Sequence, residues 1–454
     1  MRLGPESKGW PLRCAVILTG AILFSFLPAL LTAGPPADAS KYTGPGSCSS
    51  TSCHGSVKPR ADSRIFQNEY SIWVVQDKHA KAYDALTGPV GERMGRILGL
   101  GKSEAVPKCL ACHALDVPPD MRAKTFELNE GVTCENCHGP ASAWLGPHTT
   151  RNWTHEQSVA AGMYDTRNLV RRTEKCLECH LGTQEKSVDH EMLAAGHPDL
   201  YFELDSFSAV MPRHWKTPRE SAPGVPAEND AWSGVRDWGT GQAVQLRASM
   251  ERIAWRAKGK NWPEYAELQC FACHHALTAP EQSWRQERGY PGRRPGDPPW
   301  NASRYAVFRE LAHQVDNDTA ARLDDQVAQI AKSLSVLNPD RDAVAAASAS
   351  AASLSNQLVA RIEAQPYDSA MTLRLLQRIS SDADEISNEG ERAAEQAAMA
   401  LDSLFIAYSR NEKLAGAAGI RTAINGLFQQ LENPSAYNPA DFAGQMRKVN
   451  SLLR

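Results

Sequence analysis

The cysteines are the strongest constraint on this chain, because ten of the eleven occur in five pairs and a histidine follows each pair. Four pairs have two intervening residues, in the segments CLACH, CENCH, CLECH and CFACH, whereas the first pair, in CSSTSCH, has four. Only 13 of the 454 residues are histidine, so five such placements by chance are implausible. The pairs are Cys48/Cys53, Cys109/Cys112, Cys134/Cys137, Cys176/Cys179 and Cys270/Cys273, followed by His54, His113, His138, His180 and His274.

This pattern is typical of covalent haem c attachment. Two thioether bonds join the cysteine sulfurs to the vinyl groups of one porphyrin, and the adjacent imidazole binds the iron. The sequence therefore predicts five covalently attached haems c. The wider first motif fits if its intervening residues bulge outward, since Ser49, Ser50, Thr51 and Ser52 are all small and polar.

Three other uses of paired cysteines explain the pattern less well. A zinc ribbon could combine Cys109/Cys112 with Cys134/Cys137, but it leaves the adjacent histidines unexplained. A thioredoxin-like motif would occur once, beside a βαβ unit. Disulfides, which are common in exported proteins, do not require histidine. For the wide first motif a Cys48–Cys53 disulfide stays open as the alternative.

The remaining histidines supply second axial ligands for the predicted irons. Eight lie outside the motifs, and seven of these fall between residues 79 and 275. Methionine, the other common distal ligand, is sparse there, so we expect mainly bis-histidine haems of low potential. His214 is a weaker choice, and for His155 and His313 a structural role is preferred. The predicted distal ligands are His79, His148, His190, His197 and His275.

Two of these assignments include a local structure. His79 lies in SIWVVQDKHAKAYDAL, which predicts a helix with Trp73, His79 and Leu86 on roughly one face. His190 and His197 are seven residues apart, which on a helix places them two turns apart on one face.

The N-terminus predicts export. Basic residues precede an apolar run from Cys14 to about Leu31, and ADA at positions 37–39 offers a cleavage site. We therefore expect residues 1–39 to be a signal peptide and the protein to be periplasmic or otherwise exported. An uncleaved membrane anchor is the alternative, because a run of about 20 apolar residues can span a bilayer.

Residues 45–148 resemble the cytochrome c-554 family, the tetrahaem electron carriers of ammonia oxidation. The similar segments are CSSTSCHG, WVVQDKHAKAYDAL, CLACH and GVTCENCHGPASAWLGPH. The resemblance implies helices and loops wrapped around closely packed haems, with His79 and His148 as distal ligands. This chain departs from the family in having five motifs and a long C-terminal region without cysteine, so the family's haem pairing cannot be carried over whole. The wide first motif also resembles sites in the small tetrahaem cytochromes of sulfate reducers.

The predicted fold class is mainly α, with a multihaem cytochrome c region followed by a C-terminal helical bundle. Residues 41–299 form the predicted pentahaem domain, and YPGRRPGDPPW at 290–300 is a predicted linker. Residues 301–454 show apolar side chains at spacings of four and three, which predicts four or five packed helices. A further helix, carrying Leu246, Met250 and Ile253, is predicted before the fifth motif.

Two functions remain open at this stage. The first is an exported pentahaem electron carrier between redox partner proteins whose identity the sequence does not give. The second is a multihaem oxidoreductase acting on a small nitrogen compound at a five-coordinate haem. The C-x-x-C-K motif that marks the active haem of pentahaem nitrite reductases does not occur, and no catalytic residue is assigned. A net charge of −3 gives no reason to expect nucleic acid as a partner.

Overall fold

The computed structural model describes residues 40–216, 220, 231–270, 274, 299–336 and 338–454. Within these ranges the chain is mainly helical, and two isolated bridges are its only β pairing. The helices before residue 270 are α1 Glu69–Gln76, α2 Asp84–Thr87, α3 Pro89–Ile97, α4 Pro107–His113, α5 Cys134–His138, α6 His155–Ala160, α7 Leu169–Leu177, α8 His190–Ala194, α9 Leu204–Val210 and α10 Ser233–Lys258. Those after residue 299 are α11 Ser303–Ala306, α12 Phe308–Val315, α13 Asn317–Leu334, α14 Arg341–Ala364, α15 Ser369–Ser381, α16 Ala383–Asn388, α17 Glu391–Asn411, α18 Ala417–Leu431 and α19 Pro439–Leu452.

The predicted continuous helix around His79 is wrong. Helix α1 ends at Gln76, and Asp77 has an extended backbone. The Asp77 carboxylate accepts a hydrogen bond from the His79 backbone N–H (3.0 Å) and so caps a short 3₁₀ turn at Lys78–Lys81. Aspartate favours such caps over helix interiors because its side chain competes for backbone N–H groups.

His190 and His197 do not share a helical face, contrary to the prediction. Asp189 caps the start of α8, which ends at Ala194. Gly196 follows with a φ of 109°, a conformation that turns the chain out of the helix. His197 therefore lies in the loop after α8.

The predicted helix before the fifth motif is confirmed as α10, the longest helix described. Most of the helix is buried, and Leu246, Met250 and Ile253 are completely inaccessible to solvent, whereas Glu251 and Lys258 are exposed. Helix α10 packs most extensively against α14, and it also contacts α7, α9 and α17.

The predicted helical C-terminal region is confirmed, but it contains nine helices in the described residues and not four or five. The apolar repeat of Leu376, Ile379, Ala383 and Ile386 is divided between α15 and α16, which meet at Asp382. Helix α19 was not predicted, although its buried Phe442, Met446 and Val449 have the same spacing of four and three. None of the helices in the described ranges is long and apolar enough to cross a membrane.

One apolar core joins the two halves of the described chain. It extends in sequence from Leu177 to Leu453 and includes residues of α7, α10 and the C-terminal helices. Residues 40–454 accordingly form one compact unit. The division into 41–299 and 301–454 stays a prediction, and the core is continuous across it.

Candidate haem sites

Three of the C-x-x-C-H motifs lie on helical turns. CLACH ends α4, CENCH forms α5, and CLECH runs from the end of α7 into a π-helical turn at Glu178–Gly182. Residues three and four apart share one face of a helix, so each such turn directs both cysteines and the histidine to the same side. All nine cysteines in the described ranges are free thiols, available for thioether bonds, while Cys273 lies outside the described residues.

The wide first motif closes in the same way as the regular fifth motif. The backbone N–H of His54 donates to the carbonyl of Cys48 (3.2 Å), and that of His274 donates to the carbonyl of Cys270 (2.8 Å). The two extra residues of the first motif are taken up in a turn that is exposed from Ser50 to Ser52. The two motifs differ in length, but in both the backbone N–H of the histidine bonds to the carbonyl of the first cysteine.

Four motif histidines each face a histidine from outside the motifs. The ring-centre separations are 6.2 Å for His54 and His148, 6.2 Å for His180 and His79, 6.4 Å for His113 and His197, and 6.5 Å for His274 and His190. A first-row metal lies about 2 Å from an imidazole nitrogen, so two imidazoles on opposite sides of one ion have ring centres about 6 Å apart. The donor sets therefore fit an iron bound between each pair.

The second ring nitrogen of several paired histidines is held by an oxygen. Such a contact fixes the tautomer and the ring orientation, leaving Nε2 for a metal. The Glu69 carboxylate also raises the pKa of His54, and the Asp77 carboxylate raises that of His79. The Nδ1 contacts are His54 to Glu69 (2.9 Å), His79 to Asp77 (2.9 Å), His113 to the Ala82 carbonyl (2.8 Å), His148 to the Leu145 carbonyl (2.6 Å) and His197 to the Pro198 carbonyl (2.7 Å).

The third motif is different, because His138 has no imidazole opposite it within the described residues. Burial, together with the smaller effects of His214, His54 and His155, lowers the pKa of His138 to about 4. His155 is hydrogen-bonded to Asp165 (2.8 Å). His275, a predicted distal ligand, lies outside the described residues.

Cysteines of different motifs lie side by side. Cys48 and Cys134 are close enough to shift each other's pKa, and so are Cys112 and Cys179. The attachment points of the first and third motifs are therefore adjacent, as are those of the second and fourth. Besides burial, the nearby Cys176 thiol raises the pKa of Cys137, so the third and fourth motifs are also close together.

Sequence reasoning predicted which histidines would bind iron but not the groups that orient them. Glu69 is the first residue of α1, and Asp77 precedes the 3₁₀ turn at Lys78–Lys81. Nothing in the spacing of these residues distinguishes them from surface carboxylates. Asp77, two residues before His79, could have been found by the rule that metal-binding histidines usually have a carboxylate or carbonyl partner.

Cysteine pairs placed for thioether bonds, with imidazoles facing each other across a metal-sized gap, define a c-type cytochrome. Residues 48–139, which contain the first three motifs, match the family model for cytochrome c554 and c-prime. This match supports a haem-containing electron-transfer cytochrome, and the family implies covalently attached haem c. No curated protein and no solved structure matches the chain.

Proposed function

We propose that this protein is an exported pentahaem cytochrome c that passes single electrons between redox partner proteins. The observation that carries the proposal is the set of four facing histidine pairs, each joining a motif histidine to a distal one. Bound haem would supply a reversible one-electron couple at each pair. Imidazoles on both sides leave no open position for a substrate, which suits electron transfer rather than bond chemistry.

The protein's own residues set the properties of these centres. The cysteine pairs would hold the porphyrins, and the histidine pairs would bind the irons. Carboxylates on the Nδ1 atoms of His54 and His79 make those imidazoles stronger donors, which favours the ferric state. Low reduction potentials are therefore expected at these two centres.

A second function is favoured by the third motif. Because His138 lacks a facing imidazole in the described ranges, its haem is the one that would bind a small ligand such as nitric oxide or hydroxylamine. The alternative is therefore a multihaem oxidoreductase whose reaction centre lies at Cys134, Cys137 and His138. The other motifs would then deliver or remove electrons.

Haem content and spin state test these proposals on the purified full-length protein. Pyridine haemochrome and intact mass should give five haems per chain, and three or fewer would overturn the pentahaem assignment. The EPR spectrum of the oxidised protein should be dominated by low-spin ferric signals. A high-spin signal that changes with nitric oxide, and that is lost in His138→Ala, would favour the oxidoreductase.

A matched variant tests the first motif. Cys48→Ala should leave four fully attached haems and one that is held by a single thioether or missing. An unchanged complement of doubly attached haems would show that Cys48 has another role, such as the disulfide with Cys53.

A further inference from the structure

Four buried arginines hold the loops that carry predicted haem-binding residues. Each donates a hydrogen bond to a backbone carbonyl within three residues of such a site: next to His180, His190, His197 or Cys270. The contacts are Arg252 to Leu181 (2.9 Å), Arg256 to Val188 (2.8 Å), Arg304 to Leu200 (2.9 Å) and Arg392 to Leu268 (3.4 Å). The arginines belong to α10, α11 and α17, so their hydrogen bonds connect the helical core to the loops of the cytochrome motifs.

Two of these arginines are paired with a buried carboxylate. Glu267 accepts from Nη2 of Arg252 (2.9 Å) and from Nη1 of Arg256 (2.7 Å), and its own side chain is 3% exposed. A buried ion pair is stable only when its geometry is good and further hydrogen bonds are made. Arg252 and Arg256 each bond to this buried carboxylate and to a backbone carbonyl, and within the described residues the Nε of Arg252 alone makes no hydrogen bond.

Arg304 and Arg392 have no buried carboxylate as a partner within the described residues. Both are 8% exposed, and within the described residues the Nε of Arg304 and the Nη2 of Arg392 have no hydrogen-bond partner. Arg392 uses its Nε on Asp199, which leaves one side of its guanidinium free. Burial and the neighbouring Arg252 lower the pKa of Arg304 to about 9. Unpaired buried donors on cations are costly, so these atoms point to an anion that completes the site.

We propose that Arg304 and Arg392 bind a propionate carboxylate of the porphyrin held between His113 and His197. Arg392 contacts Asp199 and Arg304 contacts Leu200, two and three residues after His197. Arg392 also contacts Leu268, two residues before Cys270, so the porphyrin of the fifth motif would turn its thioether edge toward Arg392. Propionates lie on the opposite edge of a haem, so those of the fifth-motif porphyrin would lie away from Arg392. This inference rests on the proposed function and assigns a role to the C-terminal helices.

The expected consequence concerns the reduction potential of one haem. A guanidinium beside a propionate offsets its negative charge, which otherwise stabilises the ferric iron. Removing that cation should therefore make the haem harder to reduce. Charge-assisted hydrogen bonds of this type are stronger than neutral ones, and arginine matches a carboxylate better than lysine does.

The test is a spectroscopic redox titration of the full-length holoprotein. In Arg392→Gln and in Arg304→Gln, one of the five haems should become about tenfold harder to reduce, a downward shift of about 59 mV for a one-electron couple. Arg392→Lys should shift less. Arg447→Gln is the matched control, because this exposed arginine pairs with Asp384 within the C-terminal helices, and it should leave every potential unchanged.

A second variant identifies the haem. His197→Met should raise the potential of its own haem, since methionine ligation favours the ferrous state, and so marks it in the titration. Adding Arg392→Gln to the His197→Met variant should lower the reduction potential of the marked haem. A shift at an unmarked haem, or five unchanged potentials with all haems present and low-spin, would overturn the propionate assignment while leaving the pentahaem proposal intact. Fewer than five haems in the wild type would instead overturn the proposed function.

Discussion

At the residue scale, five of the eight paired imidazoles have a different partner on each side. Their Nδ1 atoms face a protein oxygen, and their rings face another histidine at a metal-sized distance. The distal ligands could be proposed from the sequence, because five predicted irons need them. The pairing could not, because residues such as His79 and His180 are brought together only by the folded loops.

Removing one distal ligand should change one haem. In His148→Ala the iron bound by His54 would lose its second imidazole, since the two rings are 6.2 Å apart. One low-spin ferric EPR signal should disappear and a high-spin signal should replace it, with five haems retained. His313→Ala is the control, because His313 bonds to Asn317 and Asp324 away from the motifs, and its spectrum should equal that of the wild type. An unchanged spectrum in His148→Ala would contradict the pairing.

Glu203 should make stability depend on pH. It is completely buried, where burial raises its pKa to about 7, and it caps α9 by accepting from the N–H groups of Asp205 and Ser206. The folded state therefore holds the proton more tightly than the unfolded state, so stability falls as pH rises from about 4.5 to about 7 and is level above that. Relative to Glu203→Gln, the wild type should lose about 3 kcal/mol of unfolding free energy across this window.

Urea unfolding of both proteins between pH 4 and 8 measures this difference. Other buried carboxyls such as Glu395 titrate in the same range, but they contribute equally to both proteins and cancel. A difference that does not vary with pH would show that Glu203 keeps an ordinary pKa in the folded chain.

At the scale of the element, the first motif depends on a close backbone contact. A Cβ atom at Gly55 would lie 1.8 Å from the carbonyl oxygen of Ser49, so the loop that returns His54 to Cys48 has no room for a side chain there. Gly55→Ala should therefore displace the loop and lower haem attachment at Cys48 and Cys53 several-fold. Gly46→Ala, with nothing within 4 Å of its added Cβ, should leave attachment unchanged. Peptide mass spectrometry of the haem-bearing fragments measures both, and equal attachment in the two variants would contradict this account.

Elements with strong periodicity could be predicted from the sequence, and those governed by a single side chain could not. The apolar spacing of Leu246, Met250 and Ile253 indicated α10, because burial of one continuous face repeats every three or four residues. The stretch around His79 has similar spacing, yet the Asp77 carboxylate accepts a hydrogen bond from the backbone N–H of His79, and the helix ends before it. Likewise, Gly196 turns the chain after α8 and separates His197 from His190.

At the scale of the whole molecule, the C-terminal helices share a core with the cytochrome region. Helix α10 lies before the fifth motif in sequence, yet its most extensive contacts are with α14. Composition could not show this, because the change in cysteine and histidine content at residue 300 reflects where the motifs are and not where the core ends. Four arginines reach from the helices to the motif loops, which ties the positions of predicted ligands to the same core.

The shared core leads to a prediction about separated halves. A chain of residues 40–299 would expose side chains of α10 that are completely buried in the full protein, such as Leu246, Met250 and Ile253. Burial of each such side chain contributes about 1.5–3 kcal/mol, and a typical domain is stable by only about 5–15 kcal/mol. The fragment should therefore be aggregation-prone and should unfold at much lower urea concentration than residues 40–454. Coexpression with residues 301–454 should restore much of the loss, because the complementary helices would cover α10 again. Equal urea midpoints for the fragment and the full chain would instead support two independent domains that meet near residue 300.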